Sequence, residues 1–167
     1  MSRALRRPLS FQSQAIADKA GQVAAAYRHS YVDHAHFMLA FLDVPNCAVQ
    51  AISKERGATL PRLRQTTIAF LDTLPSLKAS NRGANSLQAS HRMEAILELA
   101  QHEAILRKAR HVSPRHLLLA LATEDLMSEA ERGSPGARLL APMELAPNQM
   151  RRILFPTPQI PGPRLRL

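Results

Sequence analysis

Apolar residues recur at helical spacing in two long stretches of the chain. In the first, Ile16, Ala20, Val23, Ala24 and Tyr27 step by three or four positions; in the second, Met93, Ile96, Leu97, Ala100 and Ala104 do the same. A stripe of this period predicts an amphipathic helix with one face on a core. A shorter and more uniformly apolar run follows each stripe, at 37–42 and at 117–121. Helices that are apolar all round are central and buried. Asp33 is placed to cap the first of these short helices, and Ser113 followed by Pro114 the second, because proline at the first helical position loses no bond the helix needs. Asn46 before Cys47–Arg56, with Gly57 after it, predicts a third helix. Leu60–Leu71 predicts a fourth.

The two halves are also alike residue by residue. With an offset of 80, which carries His36 onto His116, Ser10 meets Ser90, Ile16 meets Ile96, Ala20 meets Ala100, Ala24 meets Ala104 and Val32 meets Val112. The agreement continues through Leu39 with Leu119 and Ala40 with Ala120. The chain therefore reads as an all-α protein, a tandem pair of four-helix units of about eight helices, related by a pseudo-two-fold. The first unit covers 9–73, the second 87–154, and the Pro, Ser, Gly and Asn residues of 74–86 mark a linker between them. In the second unit the matching later helices fall at 136–141 and Pro147–Leu154. The polar stretch 124–135 reads as a mobile loop. Residues 1–8 read as a flexible basic N-terminus, and 155–167, rich in proline, as a disordered tail.

Composition narrows this picture. Of 167 residues 46% are hydrophobic, enough for a buried core, while aromatics are only 4% and Trp is absent, so the core rests on Leu, Ile, Val, Met and Ala. The net charge of +9 draws the chain toward acidic partners, nucleic acid or anionic surfaces. The basic residues are spread along the chain without a dense run interleaved with aromatics, which argues against nucleic acid. Cys47 is the single cysteine. It permits no internal disulfide, and with no apolar signal core after Arg3, Arg6 and Arg7 the expected location is the cytoplasm. The longest apolar run, 37–42, is far too short to span a bilayer.

Two stretches carry a family likeness. His29-Ser30-Tyr31-Val32 is followed by His36-Phe37-Met38-Leu39-Ala40-Phe41-Leu42 in the first copy. Val112-Ser113-Pro114-Arg115-His116-Leu117-Leu118-Leu119-Ala120-Leu121 stands at the matching place in the second. In order and spacing these resemble the N-terminal repeat domain of the Clp family of AAA+ unfoldases, over about residues 9–154. There is no G-x-x-x-x-G-K-[ST] phosphate loop and no room for an ATPase module behind the repeat, so the chain reads as a stand-alone version of the domain or a fragment. The resemblance implies a non-enzymatic adaptor or accessory protein of a Clp-type ATP-dependent protease, binding substrates, adaptors or the unfoldase and protease subunits themselves, with no cofactor.

The same resemblance points to candidate partner-binding residues in the cleft between the copies. Some family members recognise phosphorylated arginine through an acidic residue just before the repeated histidine; here those places hold Ala35 and Arg115. Neither pairs with a guanidinium, and Arg115 repels one while attracting phosphate or carboxylate. Where members that bind hydrophobic ligands carry an aromatic, this chain has Leu9 and Ala89. His36 and His116 complete the set, and their equivalent places favour a structural role over catalysis or metal binding. His29, His34 and His36 share no helical face suited to a metal. No nucleophile elbow accompanies the Ser, His and Asp residues, so no catalytic residue is assigned. Glu94, Glu98 and Glu103 read as a solvated, salt-bridged face, and Cys47 as a small apolar residue. Two further readings remain: a basic nucleic-acid-associated helical protein, and a decoy that sequesters small molecules from the unfoldase at Leu9 and Ala89.

Overall fold

The computed structural model describes residues 7–56, 59–76, 87–132, 140 and 145–156. Among them the chain forms seven helices and two very short strands. The helices are α1 (Phe11–Ala26), α2 (His34–Asp43), α3 (Cys47–Arg56), α4 (Leu60–Leu71), α5 (His91–Leu106), α6 (Pro114–Arg132) and α7 (Pro147–Leu154). The strands are β1 (Tyr31–Val32) and β2 (Gln88–Ala89). The protein is all-α, and the two apolar stripes lie where the periodicity put them. Ile16, Ala20, Val23 and Ala24 are buried on α1, and Met93, Ile96, Ala100 and Ala104 on α5. Burying a large apolar side chain of this kind contributes about 1.5–3 kcal/mol.

The helix starts are set by local chemistry. Ser10 and Ser90 accept from the backbone N–H groups of Ser13 and Met93. Asp33 accepts from the N–H of His34, and Asn46 from those of Ala48 and Val49. Each oxygen satisfies a donor that a helix N-terminus leaves open. The C-terminal ends of α1 and α5 also match. Arg28 and Lys108, 80 residues apart, both sit in the left-handed region, at φ of 58° and 52°. There His29 N–H donates to the Ala24 carbonyl, and Ala109 N–H to Ala104.

The duplication is a real pseudo-two-fold in space. β1 and β2 pair in parallel, Val32 opposite Ala89, while Leu9 bridges Val112. Under the offset of 80 these are the same pairing made twice, each copy lending a residue to the other. Ser90 N–H donates to the Val32 carbonyl and Ser10 N–H to the Val112 carbonyl, both at 2.9 Å. The long helix of each copy touches the second helix of the other: α1 meets α6, and α5 meets α2. Within the copies, α1 packs on α2 and α4 on α2, as α5 packs on α6 and α7 on α6.

Three differences from the sequence reading stand out. The stretch from Glu124 to Arg132, read as the start of a loop, continues α6 as helix. Glu124 is held by Arg92 of α5 at 2.6 Å, with both side chains largely buried, so polarity here marks an internal ion pair. Arg7 and Pro8, read as part of a flexible N-terminus, are fastened. Arg7 exchanges two hydrogen bonds of 2.7 Å with the Gln101 side chain, and the Pro8 carbonyl accepts from Val112. The short strands had no sequence signal at all. Most of the linker 74–86, the helix read at 136–141 apart from Leu140, and the tail from 157 lie outside the described residues; Leu140 is a buried turn residue. No single helix among the described residues is long and apolar enough to cross a membrane.

Candidate functional site

The two repeated histidines are structural counterparts. Each sits at the third position of its helix and folds back, so that Nδ1 accepts a hydrogen bond from the N–H of the capping residue. Asp33 donates to His36 at 2.9 Å and Ser113 donates to His116 at 3.0 Å. This is a capping box in which imidazole takes the place of the usual carboxylate or amide.

Beyond that bond the copies diverge. His36 is fully buried, and its Nε2 lies 2.7 Å from Nδ1 of His29. Because His36 Nδ1 already accepts, Nε2 carries the proton and donates to His29. His29 in turn is hydrogen-bonded to the backbone of Leu74. The chain of donors from Asp33 to Leu74 works only while both rings are neutral. Burial, reinforced by the facing His29, holds His36 down at about 4, and burial lowers His29 as well. Burial alone would raise the Asp33 carboxyl, but donation from His34 and from Ser90 of the other copy outweighs it, leaving the group well below its ordinary range.

In the second copy Ala109 stands where His29 stands in the first. His116 packs instead on Phe155, with ring centres 5.1 Å apart, and the Arg107 guanidinium lies 4.2 Å above the other ring. Arg107 also pairs with Glu103, which takes a second arginine, Arg151, at 2.9 Å. Burial lowers His116, with the nearby Arg107 charge acting in the same direction.

The six residues singled out from the sequence are not brought together on one surface. Leu9 and Ala89 are half-buried in the two inter-copy pairings, Ala35 is wholly buried, and His36 and His116 lie beneath the surface. Leu9 and Ala89 thus help join the copies, while Ala35, His36 and His116 pack inside them. Arg115 is the exception. It lines an open groove of about 450 Å³ where α3 of the first copy meets α6 and α7 of the second. Lys54, Glu55, Ala51, Arg152 and Ile153 line it too. Sequence reasoning missed all of these but Arg115, since exposed residues on three separated helices show no common period. Among the described residues no group of three or more His, Cys, Asp or Glu side chains is placed to hold a metal ion.

The family model for the Clp repeat N-terminal domain matches residues 9–132. Among solved structures, the Hsp104 N-terminal domain from Candida albicans is 15% identical with a TM-score of 0.68, covering 88% of this chain and 89% of that one. The N-terminal domain of the ClpV1 ATPase from E. coli is 20% identical with a TM-score of 0.65, covering 89% and 84%. A ClpV N-domain solved in complex with a VipB peptide is 18% identical with a TM-score of 0.65, covering 87% and 86%. At these identities the likeness is one of fold. The family match extends over both copies and most of the chain, and with it the chain belongs to the Clp repeat N-terminal domain family.

Proposed function

We propose that this chain is a non-enzymatic docking module of a Clp-type system, an adaptor or accessory protein that binds substrates, adaptors or the unfoldase and protease subunits. The observation that carries the reading is the fold shared with a ClpV N-domain whose solved complex contains a VipB peptide. Two further features support it. The copies are locked by reciprocal backbone pairings, which gives a rigid platform, and rigid platforms bind with little ordering cost. The groove at the copy junction is open and lined by charged and apolar side chains, some exposed and some half-buried. Binding at such a surface needs only shape and a few charged anchors.

The test is capture from the native cell on immobilised full chain, with the bound proteins identified by mass spectrometry. Enrichment of Clp unfoldase or protease subunits, or of their known substrates, is the expected result. Enrichment of nucleic acid with no such proteins would overturn the proposal.

A further inference from the structure

Resting on that docking role, we propose that the groove between α3 and the α6–α7 corner takes an acidic segment of polypeptide, one in which Asp or Glu side chains alternate with small apolar ones. Three cations, Lys54, Arg115 and Arg152, line the groove against one carboxylate, Glu55. Four other arginines are paired: Arg64 with Asp43, Arg92 with Glu124, and Arg107 and Arg151 with Glu103. None of the three groove cations makes an ion pair with a described residue. Arg151 and Arg152 are neighbours in α7, yet one is neutralised by Glu103 and the other is left to the groove.

Arg115 is the most poorly compensated. Its Nε is shut off from solvent and has no hydrogen-bond partner. It also follows Pro114 in the first turn of α6, where the helix dipole disfavours positive charge. A half-buried, under-solvated guanidinium gains more from an incoming carboxylate than one free in water. Ala51 and Ile153 add apolar wall between the charges, which suits alternating acidic and apolar side chains. The shape and chemistry favour polypeptide over nucleic acid. Among the described residues no aromatic ring lines the groove for base stacking, and a duplex offers a broad convex backbone that a recess between helices cannot follow.

The experiment uses the full chain and a fluorescein-labelled peptide of alternating Glu and Leu, read by anisotropy. The double variant Arg115→Gln with Arg152→Gln is expected to weaken binding about tenfold, while Arg62→Gln, on the exposed face of α4, leaves it unchanged. If the double variant fails to fold, Arg152→Gln alone, at an exposed position, is expected to weaken binding about threefold. Cys47, which also lines the groove, is the only thiol, so its alkylation by iodoacetamide should slow when the peptide is added. Undiminished binding by the variants, or alkylation indifferent to the peptide, would remove the assignment. Equal binding of a labelled DNA duplex, lost with the same substitutions, would overturn it in favour of nucleic acid. If the double variant still captures Clp subunits from the cell, docking stands and this groove is not its site. If even the unaltered chain captures none, the docking role itself falls.

Discussion

The two copies share a backbone and differ in chemistry. Both carry the serine cap, the left-handed residue after the long helix, the histidine capping box and the reciprocal β pairing. The first copy then completes its histidine with a second buried imidazole and the backbone of Leu74. The second covers its histidine with an aromatic ring and an arginine drawn into a cluster of opposite charges. The serine caps and the β pairing touch the backbone at the junction, where a change in one copy would spoil a bond made by the other. The divergent ones are side-chain contacts away from the junction, free to vary once each buried nitrogen is satisfied or shielded.

Removing equivalent core side chains probes this most harshly. Phe41 and Leu121 occupy matching, buried positions. Phe41→Ala is expected to cost about 3–5 kcal/mol in urea denaturation, and Leu121→Ala about 2–4, following the volume removed. A larger loss in the second copy would show that the copies do not share one core.

The histidines separate the copies more sharply. His36→Ala strands the Asp33 N–H and the His29 ring, and is expected to cost about 2–3 kcal/mol; His116→Ala, which leaves only Ser113 without its partner, about 1–2. Equal losses would argue against the imidazole pair as a distinct element.

Acid should cost the first copy more than the second. The folded chain holds His36 at about 4 against an ordinary 6.5, so the unfolded chain takes up the proton first. This contribution is complete above pH 6.5 and is lost as pH falls from there toward 4, up to about 3 kcal/mol. The depressed Asp33 carboxyl contributes above its ordinary 3.8 and is lost only below it, so the two windows are separate. His29→Ala, which copies the second repeat, should flatten the curve between pH 6.5 and 4. A slope unchanged in that variant would rule out the pair as its source.

The smallest effect is expected where the copies agree best. Arg28→Gly and Lys108→Gly each relieve a left-handed backbone, and each should stabilise by about 0.5–1 kcal/mol. A gain at one site and a loss at the other, seen in melting temperature, would mean the two turns are not equivalent.

Much of this architecture could be read before any coordinates. The stripes, the caps at Asp33 and Asn46, and the bounds of α3, α4 and α7 follow from short-range rules: helical period, a side-chain acceptor at a helix start, glycine or proline at an end. The offset of 80 exposed the duplication because equivalent burial selects equivalent residues at equivalent steps. Glu124 misled because its partner, Arg92, lies 32 residues away, and a polar residue neutralised at that range is indistinguishable in sequence from a solvated one. The candidate site suffered the same limit. Ala35 and His36 entered the candidate set by likeness to a family, and whether packing of α2 against α1, α4 and α5 would bury them could not be read from their neighbours in the chain.

What the sequence determined by itself is thus mostly local: most of the helical segments, several of their starts, and that the chain holds one plan twice. Only the tertiary structure decided which charges meet. It paired Arg92 with Glu124 and Arg151 with Glu103, buried two imidazoles against each other, and left Lys54, Arg115 and Arg152 facing one recess. The reason is physical. Helix propensity and capping act within a few residues, while electrostatic and packing energies depend on distances that exist only once separated helices have been brought together.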